Sequence, residues 1–140
     1  MSTLVIDASV AIKWFLPEPC SINAIRLLDA GHTLVAPDLL FPECGNVLWK
    51  RWLRQELEAD VIPALLGDLR RMDVTIVPTY TLTGEASRIA VTWRRSFYDS
   101  IYLALAVSCN GRMVTGDEKL CNALKGTSLE QRVVMIGDMA

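Results

Sequence analysis

Four acidic residues stand where chemistry can be expected of them. Asp7 follows the apolar run Leu4-Val5-Ile6, and Glu43 opens a long helical pattern just after Pro42. Asp99 precedes the apolar set Ile101, Leu103, Ala104, Leu105 and Val107, and Asp117 follows Val114-Thr115-Gly116. Asp7, Asp99 and Asp117 each have a plain account as a helix cap or first-turn acid, worth about 0.5–2 kcal/mol apiece. Glu43 alone reads as a solvated helix residue. Taken together they point elsewhere, because all four fall where strands finish. Carboxylates gathered within a few ångströms repel, and one or more must take up a proton unless a counter-ion is supplied. A divalent cation removes the conflict, and oxygen ligands with waters left over suit Mg²⁺ or Mn²⁺.

Other chemistries have less to work with. His32 is the single histidine and sits in a Gly-His turn, so Ser-His and Cys-His hydrolysis lack a general base. Cys20, Cys44, Cys109 and Cys121 form no CxxC pair, and a zinc site wants closer spacing. They read as reduced thiols of a cytoplasmic protein. The net charge of −2 argues against coating nucleic acid by bulk electrostatics. It leaves room for a nuclease whose metals and a local basic rim supply the positive field. The pairs Lys50-Arg51, Arg70-Arg71 and Arg94-Arg95, with Arg54, are candidates for that rim, although helix-surface charge is their default role.

The elements that must position the acids alternate. Ser2 to Ile6 reads as a buried strand, followed by a short helix from Val10 to Phe15 with Ser9 as its cap. Pro17 and Pro19 close it, since a residue before proline leaves the helical region. Ser21 is expected to cap a second helix that Gly31 ends, and Thr33 to Ala36 is the second strand. Asp38 to about Leu57 is a long helix with Pro42 in its first turns. Glu43, Asn46 and Lys50 lie on one polar face of it, and Leu40, Cys44, Leu48 and Trp52 on an apolar one. A helix from Val61 to Met72 capped by Asp60, a strand from Val74 to Val77 and a helix from Thr83 to Arg95 follow. The stretch Phe97 to Leu120 reads as a buried helix, a left-handed turn at Gly111, a strand from Arg112 to Thr115 and a turn at Gly116-Asp117. A helix to Leu124 and a strand from Val133 to Ile136 finish the pattern. Strands alternating with helices predict one three-layer α/β/α domain around a parallel sheet. The length of 140 residues and 51% hydrophobic content suit a single core. No apolar stretch nears the roughly 20 residues of a membrane helix. No basic flank precedes the first apolar run, so a cytoplasmic protein with no membrane partner is expected.

The motifs themselves resemble a known family. Val5-Ile6-Asp7-Ala8-Ser9-Val10-Ala11-Ile12-Lys13-Trp14-Phe15-Leu16-Pro17-Glu18 is similar to the opening of PIN-domain ribonucleases, in particular VapC-type toxins of bacterial toxin–antitoxin pairs. Pro42-Glu43 with Asn46 and Leu48 resembles their second acidic motif. Tyr98 to Ala106 resembles the third, and Val114 to Leu120 the fourth. The motifs come in family order over essentially the whole chain, and no acid is missing. The resemblance implies that Asp7, Glu43, Asp99 and Asp117 bind Mg²⁺ or Mn²⁺, that RNA is the substrate, and that a cognate antitoxin occludes the site. Metal-assisted hydrolysis needs no histidine. Ser9 and Thr115 are then expected to orient a carboxylate or water, Asn46 to steady Glu43, and Lys13 and Lys119 to meet phosphate oxygens. The apolar surface around Trp49 and Trp52 is a place for an antitoxin or a second copy of the chain.

Three rivals remain in view. A catalytically idle scaffold of the same fold would bind a partner only, and the intact set of acids speaks against it. A metal-dependent phosphatase of the haloacid-dehalogenase type wants a second Asp two residues after the first, where this chain has Ser9. A phospho-acceptor receiver domain wants an acid ending its third strand, where this chain has Val77-Pro78.

Overall fold

A computed structural model of the chain describes residues 2–139. Five strands, β1 (Thr3–Ile6), β2 (Thr33–Pro37), β3 (Thr75–Val77), β4 (Arg112–Thr115) and β5 (Val133–Met135), form one sheet in the order β3-β2-β1-β4-β5. Every pairing is parallel, with Val5 level with Val35 on one side and Met113 on the other. Successive strand residues face opposite sides of a sheet, so two cores divide the same strands. Leu4, Ile6, Leu34, Ala36 and Val114 point into one, and Val5, Val35 and Met113 into the other.

Helices α1 (Ala8–Ala11), α2 (Ser21–Arg26), α3 (Leu40–Leu53) and α4 (Val61–Arg70) cover the first face. Helices α5 (Thr83–Trp93), α6 (Phe97–Ser108) and α7 (Glu118–Leu124) cover the second. The predicted three-layer α/β/α architecture is the one observed. Helix α6 is apolar nearly all round, and every residue from Ser100 to Ala106 is buried, as such a helix must be. Among the described residues no helix is long and apolar enough to cross a membrane.

The connections explain where pattern reading slipped. Gly111 does not take the left-handed turn after α6; Asn110 does, at φ +53°. The Gly111 N–H donates to Ala106 O at 2.8 Å and Asn110 N–H to Val107 O at 3.2 Å, the two bonds of a Schellman ending. Glycine is required next door for space, because a Cβ at Gly111 would stand 2.4 Å from the Thr3 carbonyl oxygen. Helix α3 stops at Leu53, before the expected Leu57, for the same kind of reason. Gln55 turns left-handed at φ +61°, and Gln55 and Glu56 donate back to Trp52 and Arg51. Neither Ser9 nor Ser21 caps a helix. Ser9 lies inside α1, whose N-cap position is Asp7, while Ser21 Oγ accepts from Glu18 N–H and donates to Leu16 O. Trp52, placed by pattern with Leu40, Cys44 and Leu48, stays 41% exposed while those three are buried.

From β1 the chain steps outward to β2 and β3, and then returns through α5 and α6 to the far side of β1. The strand order therefore reverses between β1 and β4. In open α/β sheets the crevice beyond the strand ends at such a reversal is where ligands bind.

Candidate active site

Asp7 leaves β1 at this reversal. Its carbonyl oxygen accepts from Val10 and Ala11 N–H, both at 3.0 Å, and so starts α1. Its side chain does not cap that helix. Oδ2 instead accepts from Thr115 Oγ1 at 2.7 Å and Ser9 Oγ at 2.9 Å. Each hydroxyl is held in turn by the loop after β4: Ser9 Oγ accepts from Gly116 N–H at 2.9 Å, and Thr115 Oγ1 from Asp117 N–H at 3.1 Å. One carboxylate, two hydroxyls and two backbone amides thus lock the ends of β1 and β4 together. The expected orienting contacts of Ser9 and Thr115 are present as hydrogen bonds to Asp7.

The other acids arrive on three helices. Glu43 is in the first turn of α3. Asp99 is in the first turn of α6, where its N–H donates to the Ser96 Oγ cap at 3.1 Å. Asp117 caps α7, with Oδ1 accepting from Leu120 N–H at 3.2 Å. Burial pushes the Asp7 carboxyl above its ordinary range against the pull of its two hydroxyls, and the Asp117 charge adds to the push. Burial likewise raises Asp99, with Asp7 and Asp117 adding and Ser96 and Arg95 opposing. Burial raises Glu43 as well, with Asp7 and Asp99 adding and the Tyr102 hydroxyl opposing. The Tyr102 hydroxyl does not complete a hydrogen bond to Glu43, and Tyr102 Oη and Glu43 Oε1 are both buried without a partner among the described residues.

Asp38 shows that this is not the fate of every acid at a strand end. It follows β2 directly, yet hydrogen bonds from Thr79 hold its carboxyl below the usual range. At the β1–β4 crevice Asp7, Glu43 and Asp99 are perturbed upward by burial and by neighbouring carboxylates, which is a mark of functional carboxylates.

A crevice of about 430 Å³ opens here, lined by Asp7, Ser9, Pro42, Glu43, Asn46 and Tyr98 among others. Asp99 and Asp117 are not among its lining residues. Asn46 lines the crevice one turn from Glu43 and makes no hydrogen bond to it among the described residues. Lys13 is already engaged: its Nζ lies 3.3 Å from Glu18 Oε1, and Glu18 Oε2 takes Arg51. Lys119 is exposed on α7. A roomier cleft of about 510 Å³ lies between α7 and β5. Its walls hold none of the four motif acids, so size alone does not mark the chemistry.

Among the described residues no three acidic, histidine or cysteine side chains close on one point as a finished metal cage would. The donor set nevertheless fits a hard divalent cation. It is all oxygen, its charges oppose one another, and Glu43 Oε1 is an acceptor with nothing to accept from. An ion held by one or two carboxylates and otherwise by water needs no closed cage.

The PIN domain family model matches residues 4–125. The chain belongs to the PIN-domain family. Ribonuclease VapC3 of Pyrobaculum aerophilum is 31% identical over 119 residues, covering 84% of this chain and 91% of that protein. The crystal structure of PAE2754 from the same organism superposes with a TM-score of 0.68 at 22% identity, over 97% of this chain and 90% of the other. VapBC2 from Rickettsia felis, bound to a DNA fragment from its promoter, gives a TM-score of 0.65 at 14% identity, over 95% of this chain and 98% of the other. The fold and family expected from the motifs are therefore those of the chain.

Two features of this PIN domain escaped the sequence reading. Tyr102 stood only inside the third motif with no role of its own, although its spacing of three from Asp99 puts it on the same side of α6. The Lys13–Glu18–Arg51 link joins residues of two elements with no pattern to announce it.

Proposed function

We propose that the protein is a metal-dependent endoribonuclease that hydrolyses RNA phosphodiester bonds, and that it is the toxin of a toxin–antitoxin pair. The observation that carries this reading is the trio Asp7, Glu43 and Asp99 at the β1–β4 reversal, raised by burial and by neighbouring carboxylates, with Glu43 Oε1 buried and unpartnered among the described residues. Such a group is costly unless a cation neutralises it. A bound Mg²⁺ or Mn²⁺ would supply ionised water near neutral pH and charge neutralisation at the phosphate.

Asp7, Glu43, Asp99 and Asp117 would hold that ion. Ser9 and Thr115 fix the orientation of Asp7 by both donating to its Oδ2. Asp117 adds negative charge while its cap bond holds it to α7. The similarity to Ribonuclease VapC3 supports RNA as substrate. A cognate antitoxin that covers the crevice is the expected partner, and a homodimer is compatible with the exposed apolar residues of α2 and α3.

The test is cleavage of RNA by the purified protein with Mg²⁺ or Mn²⁺, with chelator, and in the Asp99→Asn variant. The parent should cut only with metal, and Asp99→Asn should remain folded and lose at least a hundredfold in rate. A variant that cuts as fast as the parent removes Asp99 from the site. Expression without a partner protein should arrest growth, and Asp7→Asn should relieve the arrest. Cleavage without arrest would keep the nuclease and discard the toxin.

A further inference from the structure

The crevice does not end at its acids. Residues three and four apart share a helix face, so the crevice wall of α3, made by Pro42, Glu43 and Asn46, continues one turn on as Trp49 and Lys50. Trp49 is 47% exposed. Lys50 is exposed and makes no ion pair among the described residues. The helix rises about 1.5 Å per residue, which sets Trp49 about 9 Å along the axis from Glu43. On the opposite side α6 presents Tyr98, 59% exposed and part of the crevice wall. Neither aromatic has a packing role that explains its place. Trp14 and Trp93, by contrast, lean on the two cores.

We propose that Tyr98 and Trp49 are stacking platforms for bases of single-stranded RNA, and that Lys50 meets a phosphate of the same strand as it leaves the crevice along α3. This rests on the nuclease reading and adds to it the side chains that grip the strand beyond the acids. Charge complementarity decides the occupant: Lys50 stands beside Trp49 on a stripe continuous with the crevice, as a polyanion with planar groups requires. Aromatic faces accept any base, and a base can reach them only when it is unpaired. Duplex RNA, with its bases stacked inside, is therefore a poor substrate for this surface.

The experiment uses the full chain carrying Asp99→Asn, with Mg²⁺ present, and two fluorescent probes of equal length. One is a random-sequence single-stranded RNA, and the other is the same backbone made abasic. Tyr98→Ala and Trp49→Ala should each weaken binding of the base-bearing strand roughly five- to a hundredfold and leave the abasic strand unchanged. Tyr98→Phe should restore binding, since the ring does the work. Lys50→Gln should weaken both probes alike and flatten the salt dependence. Equal losses on both probes from the aromatic variants would overturn the proposal, as would tighter binding of duplex than of single strand. Unchanged RNA binding with loss of a dimer in Trp49→Ala would assign the stripe to self-association instead. If the parent protein cuts no RNA with any divalent metal, the nuclease reading fails first and this one falls with it. If it cuts RNA and the aromatic variants bind like the parent, only this one fails.

Discussion

The two ends of the sheet are built to opposite rules. At the N-terminal ends of β1 and β4 the polar groups are matched. Gly111 N–H and Asn110 N–H close the last turn of α6, and Arg132 donates to Gly111 O at 3.1 Å. A guanidinium beside a helix C-terminus meets the negative end of the helix dipole. At the C-terminal ends of the same strands, less than a domain's width away, carboxylates repel one another and Glu43 Oε1 has no partner among the described residues. The helix N-termini there favour acids, but by less than mutual repulsion and burial disfavour them, since three of the acids are raised and none of those three lowered. One end is arranged to hold the fold together. The other tolerates instability that a ligand would relieve.

Several measurements break or sharpen this contrast. The largest effect on stability belongs to the matched end. Gly111→Ala drives a methyl group into the Thr3 carbonyl and should cost about 3 kcal/mol or more, read as an earlier denaturant midpoint with the slope unchanged. A neutral result would mean that β1 and α6 are not held as described. At the opposite end, Mg²⁺ at a hundredfold its dissociation constant should stabilise the chain by about 2.7 kcal/mol, and Asp7→Asn should abolish that gain.

Glu43→Gln removes one of the repelling charges and should raise stability at neutral pH by about 1 kcal/mol, at the expense of cleavage. The sign follows from linkage. An acid with a raised pKa in the folded state holds its proton more tightly there than in the unfolded chain. Its contribution is therefore full at low pH and lost as pH climbs from the ordinary carboxylate range through the raised value. Metal-free protein should accordingly lose stability with rising pH across that window, and Glu43→Gln should flatten the loss. Cleavage should rise with pH over the same range, because protons and metal compete for the acids. The smallest effect is expected of Arg132→Met, about 1 kcal/mol for one hydrogen bond, with cleavage untouched.

The contrast also shows what a sequence discloses. The strands were legible as short apolar, β-branched runs, and the parallel sheet followed from their alternation with helices; the order of the strands in the sheet came only with the fold. The four acids drew notice because each closes a strand or opens a helix. Asp38 has the same local position, however, and only the Thr79 contacts reveal that it is a satisfied acid. Turn chemistry was the weakest part. Asn110 and Gln55 adopt left-handed conformations that glycine usually takes, and Gly111 is fixed by a carbonyl far away in sequence. Ser9 looked like a helix cap because serine favours that role, while its hydroxyl is used between Asp7 and Gly116. Lys13 is similar, for its partner Glu18 becomes visible only when the turn after α1 has folded back.

The bond from Thr115 to Asp7 spans 108 positions of chain. Until the ribosome has released the segment around β4, the first strand has neither its neighbour nor the hydroxyl that orients its acid. Under the proposed function, synthesis alone would delay the birth of activity, and a nascent polypeptide would stay harmless to the RNA that surrounds it during translation.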